Sequence, residues 1–246
     1  MQDLKSLNVF SCEVGSRFLE ALYHHSQTLT CLAATHCKAL TPSLVPKILA
    51  SFPHLESLYV GCVLDEDIID GLPWVCEHSL KELCIGISFP LDDDAEYHQQ
   101  VLQRISRLTN LKELLLDCGR RTEKSLDLSL DNGLDQLVTL KQLEKLVFYF
   151  HAETLGVRDV EWMINSWKNL KEVKGYFRQD IKEELVSMFT AAGIKFNCED
   201  KCRDPRFCRS FLSAESFINL GDQLSPTTGV RAYIEIIQLG AAALGQ

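Results

Sequence analysis

The sequence predicts an α/β solenoid in which strands and helices alternate, with a parallel sheet on the concave side and helices on the convex side. Three observations predict it. A short apolar alternation recurs along most of the 246 residues. Between recurrences the apolar spacing changes from two to three and four, the change from strand to helix. A unit of one strand and one helix cannot bury its apolar face alone, so the units must stack on their neighbours.

The first four strands are carried by Leu4-Lys5-Ser6-Leu7-Asn8-Val9, Leu29-Thr30-Cys31-Leu32-Ala33-Ala34, Leu55-Glu56-Ser57-Leu58-Tyr59-Val60 and Leu80-Lys81-Glu82-Leu83-Cys84-Ile85. All read apolar-x-x-apolar-x-apolar, and segments 111–116, 143–148 and 170–175 continue the pattern, the last with Val173 and Gly175 at its second and third apolar positions. The starts at 4, 29, 55, 80, 111, 143 and 170 give steps of 25, 26, 25, 31, 32 and 27. These lie near the ~20–29 residues of leucine-rich repeats, and the longer central steps predict inserted loops. Cys12, Cys37, Cys62 and Cys118 each follow an alternating run, where this repeat class carries Asn or Cys.

Helices fill the intervals. Phe18, Leu19, Leu22 and Tyr23 mark the first, and Leu44, Ile48, Leu49 and Phe52 the second, with Thr41 as N-cap and Pro42 at the first helical position. Later helices are expected over 95–107, 132–141, 157–168 and 179–192; Gly193 closes the last, and Ile194-Lys195-Phe196 supplies a final strand. Residues 1–198 thus form the solenoid, about seven to eight units, and 199–246 a non-repeat tail. Pro205, Pro226 and Gly229 punctuate that tail and its apolar run over 234–244 suits a short helix or strand, but poor order is expected for it as a whole. Leu4, Leu7 and Val9 would leave an open apolar end, so the solenoid is expected to lack its natural start.

Composition narrows the function classes. A hydrophobic content of 46% with 24% charged residues is that of a soluble globular chain, and the net charge of −9 argues against a nucleic-acid partner. No secretory signal and no apolar run long enough to span a membrane are read, so a cytoplasmic or nuclear location is expected. The 10 cysteines are then free thiols that pack as small apolar groups. Cys198, Cys202 and Cys208 have irregular spacing and no fourth ligand, and Asp92-Asp93-Asp94 with Glu96 lacks the spacing and Gly of a calcium loop, so no metal is expected. His24, His25 and His36 have no acidic or nucleophilic partner at catalytic spacing, and no phosphate loop or nucleophile elbow occurs. No catalytic residue, no cofactor and no enzymatic activity are predicted.

The outward residues of the strands are the candidate site. They are small and neutral at first, then acidic and aromatic. Tyr59, Tyr149 and Tyr176 are candidate anchors for a protein partner, with Glu82, Glu113, Asp117 and Glu172 selecting a basic surface. A solvated sheet face of ordinary strand-forming residues is the alternative reading.

The strand pattern, the cysteines at the turns and phrases such as Leu108-Thr109-Asn110-Leu111-Lys112-Glu113-Leu114 and Trp167-Lys168-Asn169-Leu170-Lys171-Glu172-Val173 resemble the repeat region of fungal F-box and leucine-rich-repeat proteins, from Leu4 to about Phe196. The resemblance implies a substrate receptor of a cullin-type ubiquitin ligase. A Skp-type adaptor would bind an F-box preceding the repeats, and no such segment precedes Leu4 in this sequence. A stand-alone repeat protein with no ubiquitin link is the other reading.

Overall fold

A computed structural model describes residues 4–10, 17–35, 44–64, 68–69, 71–89, 95–117, 126–152, 155–177, 180–198 and 233–237. Strands β1 (Ser6–Phe10), β2 (Cys31–Thr35), β3 (Ser57–Leu64), β4 (Glu82–Ser88), β5 (Glu113–Asp117), β6 (Lys145–Ala152), β7 (Glu172–Phe177) and β8 (Lys195–Cys198) form a parallel sheet, each beside its predecessor. The first seven begin two residues after the repeat starts read from the sequence, and the final strand expected around Lys195 is present. Helices α1 (Arg17–Tyr23), α2 (Leu44–Leu49), α3 (Ala95–Ile105), α4 (Val157–Ser166) and α5 (Lys182–Ala191) fall in the intervals where helical spacing predicts them.

Alternation gives the sheet two unlike faces. One row, Leu7, Leu32, Leu58, Leu83, Leu114, Leu146 and Val173, joins the apolar sides of the helices in a continuous core, with Leu22, Ile48, Val101, Val160 and Leu185 as helical members. Burial of this kind stabilises by roughly 1.5–3 kcal/mol per large side chain. At the β8 end the core closes with aromatic rings, Phe177 lying 5.0 Å from Phe148 and 4.8 Å from Phe196.

Backbone bonds join consecutive units in a repeating way. The carbonyl of Lys5 accepts the N–H groups of both Thr30 and Cys31, and the carbonyls of Thr30, Glu56, Lys81, Lys112 and Glu144 each accept two from the next unit. Side chains bridge the turns just ahead: Thr28 Oγ1 donates to Leu4 O at 2.9 Å, Ser79 Oγ to Pro53 O at 2.9 Å, Asn110 Nδ2 to His78 O at 2.7 Å and Asn169 Nδ2 to Lys141 O at 2.8 Å. Each gives a donor to a backbone carbonyl where the chain turns into a strand.

Three sequence expectations change. The interval over 132–141 holds no α-helix; two 3-10 segments, Leu130–Asn132 and Leu134–Thr139, meet at Gly133, whose φ of 95° is a left-handed conformation that suits glycine. Buried Leu134, Leu137 and Leu140 explain the type, since spacing of three matches three residues per turn. The open apolar end expected at the first strand is paired: β9 (Tyr233–Ile237) runs antiparallel along β1, and Leu7 and Val9 keep only 8% and 2% exposure. That strand lies within the tail for which poor order was expected; the rest of the tail is outside the described residues, as are Thr41-Pro42 and Asp92 to Asp94. Gly175, a degenerate repeat position in the sequence, is required: a side chain there would overlap the Phe148 ring. The large residue of β6 fills the space vacated by the small one of β7.

Candidate functional site

The sheet face opposite the helices is built from two rows in register. The first runs Ser6, Cys31, Ser57, Glu82, Glu113, Lys145, Glu172 and Lys195, and the second Asn8, Ala33, Tyr59, Cys84, Leu115, Val147, Lys174 and Asn197. Of the residues singled out in the sequence, Glu82, Glu113 and Glu172 therefore share one row and Tyr59 stands beside it. Asp117 is opposite Gly86, farther along the strands.

Tyr149 and Tyr176 do not align as the repeat spacing suggests. The β6–β7 register shifts between Val147 and His151, which places Tyr176 opposite His151. Two extra residues on β6 absorb the shift, a bulge that strand counting from sequence cannot see. The side chains of Asp117, Tyr149 and Tyr176 lie outside the described residues.

The acidic groups are already partnered within the face. The Tyr59 hydroxyl donates to Glu82 Oε2, Lys145 Nζ donates to Glu113 Oε2 at 3.0 Å, and Asn197 Nδ2 donates to Glu172 Oε1 at 2.9 Å, with Lys174 and Lys195 Nζ at 3.4 and 3.5 Å from the same oxygen. Burial first, and then Glu82 and Glu113, push the Tyr59 phenol well above its usual range. Burial acts to raise Glu172 too, but Lys174, Lys195 and Lys145 outweigh it and hold that carboxyl below its usual range. The row thus alternates in sign from Glu113 onward, where the sequence suggested a mainly acidic surface.

Beside this charged row lies an apolar one, absent from the charged and aromatic residues that the sequence marks as anchors. Cys84, Leu115 and Val147 pack together with Tyr59 on four consecutive strands, with 2%, 4% and 0% exposure for the first three. The signal was present as apolar residues at outward strand positions, where the alternation calls for polar ones. Burial raises the thiols of Cys31 and, to about 12, Cys76, so these cysteines are poor nucleophiles.

Other features have less reach. A groove of about 390 Å3 at the start of β1 to β3 is lined by Lys5, Gln27, Thr28, Thr30, His54, Glu56 and Ser79, but Thr28, Thr30 and Ser79 direct their hydroxyls to backbone carbonyls. Among the described residues no group of three or more His, Cys, Asp or Glu is placed to hold a metal, and no helix is long and apolar enough to cross a membrane. No protein-family model matches the chain, and no curated protein matches it.

Proposed function

We propose that the chain is a non-catalytic protein-interaction scaffold, a leucine-rich-repeat solenoid that reads a protein partner with the sheet face opposite its helices. One observation carries the reading: the part-exposed charged row Glu82, Glu113, Lys145 and Glu172 crosses adjacent strands with Tyr59 beside it, held in place by the buried apolar row Cys84, Leu115 and Val147. Charges of both signs fixed in register beside an aromatic side chain form a surface that a partner of complementary charge can read. The one-strand-per-unit order supports the solenoid, since each unit lies between its sequence neighbours.

A charge exchange tests the face without opening the core. Glu113→Lys and Lys145→Glu each break the 3.0 Å pair, while the double variant restores it with the charges transposed. Partners recovered by affinity purification are expected to be lost in all three variants. Recovery of the same partners by the double variant would mean that the pair serves only the fold. A Skp-type adaptor among the partners supports the ligase-receptor form of the reading; its absence with the full gene product favours a stand-alone binding protein.

A further inference from the structure

The edge of β1 is closed by a strand that the repeat does not call for. Strands β1 to β8 follow one another in order, yet β9 skips all of them and pairs at the far side of β1, antiparallel where the rest are parallel. The 34 residues over 199–232 join β8 to β9 across eight strand spacings. Those spacings amount to about 38 Å, and a chain of that length reaches up to roughly 110 Å. Length therefore permits the connection but does not dictate it.

Backbone phase defines what the edge offers. Lys5 O accepts from Thr30 and Cys31, so the odd residues of β1 direct their peptide groups to β2. Ser6, Asn8 and Phe10 direct theirs to the outer edge, where the register sets them opposite Ile237, Glu235 and Tyr233. Ile236 and Ile234 stand opposite Leu7 and Val9, the two β1 residues that belong to the core.

We propose that the outer edge of β1 is an acceptor site for an extended protein segment, and that β9 is its resident occupant, replaceable by a partner segment with the same alternation. The ligand is an antiparallel strand of about five residues, without proline, carrying β-branched residues opposite Leu7 and Val9. Main-chain bonds to Ser6, Asn8 and Phe10 supply attachment, and the two β-branched positions supply selectivity. This site is separate from the charged row, and the Glu113 and Lys145 exchange leaves it unchanged.

Proline placement in the full-length chain tests it. Glu235→Pro removes an N–H directed at Asn8, whereas Ile234→Pro removes one directed away from β1, the phase in which an edge strand tolerates proline. In Glu235→Pro, hydrogen exchange at Ser6, Asn8 and Phe10 is expected to accelerate at least ~10-fold while Leu7, bonded to β2, stays protected. A labelled peptide of sequence 229–241 is then expected to bind this variant at least ~10-fold more tightly than the wild type or Ile234→Pro, by fluorescence anisotropy. Equal binding to all three proteins, or to none, would overturn the proposal, as would unchanged exchange in Glu235→Pro. If Glu235→Pro loses Leu7 protection as well, Ile237→Pro at the end of the strand is read by the same criteria.

Discussion

Gly175 and Phe148 act as one packing unit, because the ring of one occupies the volume that a side chain on the other would need. Gly175→Ala is expected to destabilise by about 1–3 kcal/mol through overpacking, read by urea denaturation. Phe148→Leu in the same chain should recover part of the loss, and simple additivity would show that the two residues do not share space. Tyr59 makes a pH-dependent contribution. Its folded phenol holds its proton more tightly than the unfolded one, so its stabilisation is complete below the ordinary tyrosine value of about 10 and declines as pH rises past it. Tyr59→Phe is expected to lessen the alkaline loss of stability, and an unchanged profile above pH ~10 would count against the burial of the phenol and its bond to Glu82. At this scale the sequence was readable in part: outward register set Glu82, Glu113 and Glu172 in one row with Tyr59 beside it, but Lys145 and Lys195, which join Lys174 in offsetting the carboxylates, come from neighbouring strands. Proximity across strands depends on register, and the bulge after Val147 is the step that spacing alone misses.

Among the elements, the inserted central units show how a long step is held. Asp159, 7% exposed, accepts from Gly156 N at 2.7 Å at the start of α4 and from Leu130 N at 2.8 Å at the start of the 3-10 pair. One carboxylate thereby caps two elements. Asp159→Ala is expected to cost about 2–3 kcal/mol by leaving buried donors unmatched, with Asp159→Asn intermediate, measured by thermal or urea unfolding. Asp127 and Asn132 extend the network, and His98 accepts from Asp127 N at 3.2 Å while its ring lies 4.3 Å from Phe89. The inserted loop was legible as extra length between repeats, and its apolar spacing of three could have distinguished a 3-10 segment from an α-helix. Its polar links were not legible, since residues about 30 apart give no local sign of contact.

Across the molecule, each of β2 to β7 rests on the strand before it and the strand after it, while β8 has a neighbour on one side only among the described residues. Stability in such an order is a sum of neighbour terms. Amides of β4, β5 and β6 are therefore expected to exchange at least ~10-fold more slowly than those of β8, and uniform protection would mean that the chain opens only as a whole. The parallel α/β order was almost wholly legible, because the same alternation announced every strand from β1 to β7. The return of β9 was not, since its apolar run suits a strand or a helix equally and nothing local points to β1.

From β1 to β7 two main-chain N–H groups converge on one carbonyl at each joint, joined at Lys5 O by the Thr30 hydroxyl, and the residues offering that carbonyl are as unlike as Lys5, Thr30 and Glu56. The side chain of the residue that offers the carbonyl takes no part in such a joint. Exchanging the side chain of a residue that offers the carbonyl therefore leaves the hydrogen bonding between neighbouring strands in place.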